Sequence, residues 1–361
     1  MVISRIGQGG EFEPNGTDII QQIAAINLGF DLGLTFIDTA EIYGDGFSEE
    51  MIGKAIDKKR SEVFVASKFS PENAAYKDVV NSAERTLKRL KTDYIDLYQV
   101  HWPNPKIPIS ETMSAMEQLV TDGKILNIGV SNFSKLELIK AQDALLKNKI
   151  FSNQVEYNLF DRFIEQEILP YCQKNDVKVI AYSPLFRGKT FDGDKSKNLL
   201  RTLSSKYSAS FAQIALSWLV SKNLVYAIPK TTKQVHVREN ALALNLKIDV
   251  EDIIKIDQTC ASSPMFVSTD DIRVILNGER NSNAYQTLDE AIENKLNLSP
   301  SPLELASFLK LGEPTKPVRL IPNRDASSKY KYDLVEGRLR YWAWVIAFES
   351  LRPIPSYVRY D

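Results

Sequence analysis

The chain has 361 residues, 43% of them hydrophobic and 25% charged, with a net charge of −1. Those are the proportions of a soluble globular protein, and the length favours one large domain plus a small one. The balanced charge argues against nucleic-acid and anionic-membrane partners.

Cys172 and Cys260 are far apart and outside any CxxC, which argues against a disulfide framework or zinc site, so no metal is expected. The opening MVISRIGQGG lacks the apolar core of a signal peptide, and no run reaches membrane-spanning length. The expected compartment is the cytosol.

In chain order, short apolar runs alternate with amphipathic stretches. Strands are predicted over 2–7, 34–38, 63–68, 94–101, 125–131, 153–157, 177–183 and 225–229. These read as continuous apolar segments, as strands buried on both faces should. Helices are predicted over 19–32 (with Ile20, Ile23, Ala24 and Ile26 on one face), 79–90, 113–120, 136–146, 163–174 and 211–220. Ser48 and Ser134 read as N-caps, and Glu137 completes a capping box for the second. Strand–helix alternation implies parallel pairing, and eight units match a (β/α)8 barrel. A doubly wound sheet ranks lower because no GxGxxG follows the first strand. The alternation stops near 262–265, and Asn-, Ser- and Pro-rich joints follow (281–283, 299–302, 314–317). Two domains are therefore expected, 1–263 and 264–361.

Four polar residues fall where predicted strands end. Asp38 and Tyr43 lie in FIDTAEIYGDG, Lys68 closes VFVASKF, and His101 closes YIDLYQVHW. Singly, each is more often structural than catalytic. Together they converge on the C-terminal rim, where such barrels build active sites. A tyrosine is a weak acid at neutral pH, and an adjacent ammonium lowers its pKa. Lys68 would supply that charge, Asp38 would hold Lys68, and His101 would orient a substrate oxygen while Tyr43 gives its proton. Phe69, Trp102, Phe133 and Phe186 are expected to line an apolar mouth.

The motifs IDTAEIYGDGFSEEMIGKAI, VFVASKF, LKTDYIDLYQVHW, GKILNIGVSNFS, NQVEYN, VIAYSPL and IPKTT followed by RENA are highly specific in combination. On them, residues 3–260 resemble the aldo-keto reductase family. The resemblance implies an oxidoreductase that reduces an aldehyde or ketone with NADPH, or alternatively NADH, with Asp38, Tyr43, Lys68 and His101 as the catalytic tetrad. It implies that Ser131, Asn132 and Gln154 bind the nicotinamide carboxamide, that Tyr182 stacks on the ring, and that Ser183 and Leu185 line the pyrophosphate path. Lys230 and Thr231 match the 2′-phosphate group, and Glu239 and Asn240 match adenine contacts.

Two departures stand out. His236 occupies a position where many members carry arginine on the adenosine phosphate, and it lacks arginine's bidentate fork. The chain also begins almost at strand one, leaving little room for a hairpin under the barrel. The alternative reading of the whole is a cofactor-bound redox-sensing or nucleotide-regulated partner protein with little turnover.

Residues 270–361 resemble the ParB/sulfiredoxin-like domain, in which an apolar strand leads into a Gly-Arg-x-Arg turn and a helix. The resemblance implies a nucleotide or phosphate ligand at Gly337, Arg338 and Arg340, although Leu339 stands near where the sulfiredoxin version carries cysteine. From Met265 to Asp361, thirteen Lys and Arg balance thirteen Asp and Glu, which argues against DNA tracking. Trp342 and Trp344 are expected to pack. Substrate identity and oligomeric state are not encoded in any motif.

Overall fold

The computed structural model describes residues 3–12, 19–186, 194–260, 264–275, 285–298, 300–313, 315–325 and 327–358. Val2, residues 262–263 of the expected domain junction, the joint at 281–283, Ser299 and Pro314 lie outside the described residues. The chain divides into two compact units, Met1–Ala261 and Ser262–Asp361.

The first unit is a closed eight-stranded parallel barrel. Strands β1 (Gln8–Gly9), β2 (Phe36–Asp38), β3 (Phe64–Phe69), β4 (Leu97–Val100), β5 (Ile128–Ser131), β6 (Ile150–Glu156), β7 (Lys178–Tyr182) and β8 (Val225–Ala227) neighbour one another in chain order. Parallel bridges Ile6↔Ala227 and Gly9↔Lys230 join the first strand to the last and close the sheet. Helices α1 (Ile19–Asp31), α2 (Phe47–Ile56), α3 (Tyr76–Leu90), α4 (Ile109–Thr121), α5 (Lys135–Asp143), α6 (Ile168–Lys174), α7 (Asp194–Tyr207), α8 (Phe211–Ser221), α9 (Gln234–Leu242) and α10 (Val250–Thr259) form the return connections.

Side-chain parity decides which residues enter the barrel. Phe36, Phe64, Ala66 and Leu97 form an inner cluster, whereas Ile37, Val65, Tyr98 and Val100 belong to the larger core beneath the helices. Successive strand residues point to opposite faces, so the inner sequence continues to Asp38 on β2, Lys68 on β3, and Gln99 then His101 on β4. The inner face is thus apolar below and polar at the C-terminal rim.

Four local expectations are corrected. Of the run predicted over 2–7, the described residues make only the bridge at Ile6 to Ala227, and the ladder pairing falls on Gln8 and Gly9, opposite Ile37 and Asp38. Helix α1 buries Gln22, Ala25, Ile26, Gly29 and Phe30 and leaves Ile20 77% exposed, since the helical register follows Phe30 and Ile26 rather than Ile20. Ser48 lies inside α2, where its hydroxyl accepts from Phe12 N (2.8 Å) and donates to Phe12 O (3.0 Å) instead of capping. The helix predicted over 163–174 splits into a 3-10 turn, Phe163–Glu165, and α6, with Glu165 drawn aside by Tyr157 and Arg162. The Ser134–Glu137 capping box forms as expected.

The second unit is a five-stranded mixed sheet with helices. Its strands are β9 (Met265–Val267), β10 (Ile272–Val274), β11 (Val318–Pro322), β12 (Tyr332–Glu336) and β13 (Ile354–Val358), ordered β10-β12-β11-β13-β9. Its helices are α11 (Leu288–Ile292), α12 (Pro302–Lys310) and α13 (Arg338–Phe348). Val318, Leu320, Leu334, Trp342 and Ile354 centre its separate core. Trp342 donates to Tyr285 O (2.8 Å) and Trp344 to Arg352 O (2.9 Å), so both indoles pack within this unit.

Candidate active site

At the C-terminal rim of the barrel, three strands and the turn after the first of them deliver the polar cluster. Asp38 ends β2 and Lys68 lies near the end of β3, both buried. His101 follows β4 directly and is also buried. Tyr43 sits in the turn between β2 and α2, where Gly44, Asp45 and Gly46 all have positive φ (59°, 53° and 87°) and return the chain sharply over the mouth. The φ of 87° favours glycine at Gly46 in particular, and a Cβ there would also lie 2.4 Å from Arg89 Nε and oblige that side chain to shift. Arg89 in turn pairs with the buried Glu49 at 2.6 Å, which also accepts from Ser67, the neighbour of Lys68.

Lys68 Nζ donates to Asp38 Oδ2 at 2.7 Å and to Thr39 O at 2.6 Å, and lies 5.1 Å from the Tyr43 ring centroid. Tyr43 and His101 meet edge to face, with centroids 5.7 Å apart. The four predicted catalytic residues therefore do assemble.

Burial sets their charges. It pushes His101 down to about 2, and the Lys68 ammonium adds to that effect, so the imidazole is neutral at physiological pH. For Lys68, burial opposes the charge, but Asp38 and Tyr43 outweigh it and the ammonium is held more firmly than usual. Tyr43 departs from expectation. Burial raises the phenol more strongly than Lys68 lowers it, so the net shift is upward. Tyr43 consequently retains its proton at neutral pH, with an ammonium beside it that favours release once negative charge develops nearby.

The residues expected to hold a nicotinamide converge on the same mouth. Ser131 Oγ donates to Gln154 O (2.9 Å), and Gln154 Nε2 donates to Asp38 Oδ1 (2.7 Å). Asn132, at φ 62°, donates from Nδ2 to His101 O (3.1 Å) and accepts at Oδ1 from the Tyr182 hydroxyl (3.0 Å). Tyr182 ends β7, and Ser183 follows with φ 48°. Leu185 packs partly against the main core.

Lys230 and Thr231 follow β8. Beside them, on α9, lie Asn240, which is buried, and the pair His236 Nδ1 and Glu239 Oε2, 2.8 Å apart. Side-chain amides and hydroxyls, a half-buried ring and an exposed lysine make a donor set that fits a pyridine nucleotide. His101 Nδ1 and Gln99 Oε1 are buried at this rim without a partner among the described residues, as expected of a site that completes itself around ligands.

Three features differ from the sequence reading. Phe69 and Phe133 are buried in the core and do not line the mouth. Trp102, 41% exposed, stacks on the His101 ring at 3.8 Å, and Phe186 meets Phe160 instead. Gln99, not foreseen as a site residue, donates from Nε2 to Asp38 Oδ1 (3.3 Å); its two-residue spacing from His101 was the signal that would have found it. In the second unit, Gly337 takes φ 96° as the N-cap of α13, but Arg338 is bound to Ile275 O (2.6 Å) and Arg340 to Lys316 O (3.3 Å). Both guanidiniums named for a phosphate thus also bind backbone carbonyls of this unit.

The aldo/keto reductase family model matches residues 6–261. The chain belongs to that family. With it, the protein is an enzyme, an NAD(P)H-dependent oxidoreductase. Methylglyoxal reductase YeaE of Escherichia coli is 37% identical over 257 residues, 70% of this chain and 89% of that one. A thermostable aldo-keto reductase, Tm1743, solved with the inhibitor epalrestat, is 41% identical with a TM-score of 0.68, covering 71% of this chain and 95% of that one. An aldo/keto reductase from Klebsiella pneumoniae, solved with NADP and acetate, is 37% identical with a TM-score of 0.65, covering 71% and 91%.

Proposed function

We propose that this aldo/keto reductase binds NADPH and reduces a small aldehyde or ketone to the alcohol, with Tyr43 as proton donor. The observation that carries the reading is a protonated phenol held against a Lys68–Asp38 ion pair and a neutral His101 at the barrel mouth. When bound, the reduced nicotinamide supplies the hydride. Ser131, Asn132 and Gln154 would hold its carboxamide and Tyr182 its ring, while Lys230 and Thr231 would receive the 2′-phosphate and Glu239 and Asn240 the adenine.

The chain's own residues do the remaining work. Neutral His101 donates a hydrogen bond to the carbonyl oxygen and orients it. As that oxygen gains charge, Tyr43 transfers its proton there, and Lys68 stabilises the phenolate left behind. Asp38 keeps Lys68 charged and aimed. Exposed Trp102, stacked on His101, offers an apolar wall to the substrate. The relative that acts on methylglyoxal makes small 2-oxo aldehydes the first class to assay. NADPH oxidation across a panel of 2-oxo aldehydes, aromatic aldehydes and sugars tests the reading; tight NADPH binding with no turnover on any would replace it with the sensing role.

We also propose that residues 264–361 form a ParB/sulfiredoxin-like domain. The passage from β12 through Gly337 into α13 supports this, and the carbonyl bonds of Arg338 and Arg340 favour a structural role for the turn. No helix among the described residues is long and apolar enough to cross a membrane.

A further inference from the structure

Asp38, Gln99 and Gln154 come from β2, β4 and β6, and alternate strands of such a barrel contribute the side chains of a single interior layer. Within this layer both amides converge on one oxygen: Gln154 Nε2 lies 2.7 Å and Gln99 Nε2 3.3 Å from Asp38 Oδ1. The other oxygen, Oδ2, is left to Lys68 at 2.7 Å. Gln99 is fully buried, and its Oε1 has no partner among the described residues. Burying an unsatisfied amide oxygen is costly, and a leucine or methionine would fill the same volume without that cost. Packing alone therefore does not ask for an amide here. The barrel is nonetheless shaped around this side chain: a Cβ on Gly129 would come within 2.8 Å of Gln99 Cγ.

We propose that Gln99 is a positioning residue for the reduction, holding the Asp38 carboxylate square to Lys68 so that the ammonium stays beside Tyr43. This rests on the roles assigned above to Tyr43, Lys68 and Asp38. Lys68 has a second acceptor in Thr39 O at 2.6 Å. With Oδ1 pinned by two donors, the carboxylate plane is fixed and Lys68 is shared between Oδ2 and that carbonyl. With the Gln99 donor gone, the carboxylate gains freedom to turn and the ammonium to settle towards Thr39, away from the phenol. The Ser131 hydroxyl engages only the Gln154 backbone carbonyl, so the side-chain amides of Gln99 and Gln154 each donate to Asp38 Oδ1 and act on it together. The charged and titratable groups facing Asp38 and Gln99 are Lys68 from β3, Tyr43 from the turn after β2, and His101 from the end of β4, the last held neutral.

The test uses Gln99→Leu and Gln99→Glu of the full chain, with Tyr43→Phe alongside. Gln99→Leu should lose roughly ten- to a hundredfold in kcat, the scale of a misplaced catalytic group, with the KM for the carbonyl and the Kd for NADPH within about twofold of wild type. Gln99→Glu gives a readout without cofactor or turnover. Its new carboxyl, buried against Asp38, binds a proton more tightly folded than unfolded, so stability relative to wild type should fall as pH rises through the carboxylate range. A thermal melt series against pH reads this directly, and Gln99→Leu should show no such slope.

Wild-type kcat in Gln99→Leu beside an inactive Tyr43→Phe would overturn the Gln99 proposal alone. A wild-type pH dependence of melting in Gln99→Glu would overturn the contact with Asp38 on which it stands. An active Tyr43→Phe would instead sink the reading of the tetrad, whatever Gln99→Leu does.

Discussion

Lys68 Nζ sits 2.7 Å from Asp38 Oδ2, and neither side chain is more than marginally exposed. An ion pair so deeply desolvated is a weak device for stability, but it places a fixed positive charge beside the Tyr43 phenol at the mouth. Tyr43→Phe keeps the ring packing and removes the proton. It should therefore lose at least about a hundredfold in kcat/KM, the lower end of general-acid contributions, with NADPH affinity near wild type. Steady-state kinetics and fluorescence quenching by NADPH check both halves; activity above a tenth of wild type, about 1.4 kcal/mol in barrier, is incompatible with Tyr43 as the donor.

His101 carries a pH prediction. Because burial and the Lys68 charge push its pKa down to about 2, it does not titrate in the folded protein between ~pH 5 and 8, where a free histidine would. The kcat/KM profile should show no limb there from this residue. Stability behaves oppositely. Below the ordinary histidine value of ~6.5 the unfolded chain binds a proton that the folded chain does not, so wild type should lose stability relative to His101→Asn as pH falls through that value. The slope approaches ~1.4 kcal/mol per pH unit at most. Chemical denaturation of both proteins at stepped pH reads the difference.

His236 Nδ1 rests 2.8 Å from Glu239 Oε2 on the exposed side of α9. NADPH should bind more tightly than NADH through Lys230 and Thr231, but by a modest margin. His236→Arg should widen the margin by up to about fivefold, the worth of a ~1 kcal/mol exposed ion pair. Paired titrations with the two dinucleotides decide it, and equal affinities in the wild type would remove the 2′-phosphate site.

Gly46 and Gly33 offer a matched comparison. Both have φ near +90°, but a Cβ at Gly46 would strike Arg89, whereas Gly33 has nothing within 4 Å. Gly33→Ala should cost about 1–2 kcal/mol, the strain of a left-handed alanine. Gly46→Ala also disturbs the Arg89 pair with the fully buried Glu49 and should cost about 2–4 kcal/mol. It should lower kcat as well, because this turn carries Tyr43. Urea unfolding of the two variants separates strain from displacement.

Much of this protein is legible along the chain. Strand–helix alternation read from apolar runs anticipates the (β/α)8 barrel, because strands covered on both faces must be apolar throughout. Asp38, Lys68 and His101 stand out as charged or titratable residues that close such runs at their C-terminal ends. What the chain could not show follows from packing at a distance. The upward shift of Tyr43 depends on how deeply the closed mouth buries it, which is a sum over several strands. Phe69 reads as a mouth residue until side-chain parity turns it into the core, and Phe133, past the end of β5, is buried there as well. Arg338 and Arg340 also bind Ile275 O and Lys316 O, 63 and 24 residues away in sequence, contacts that only the folded unit shows. Gln99 becomes part of the site only when β2, β4 and β6 close into one layer. Local sequence determines which residues can be polar, apolar or turned. Which polar groups meet is decided by barrel closure, because hydrogen bonds reach only about 3 Å and only the closed sheet brings those strands so near.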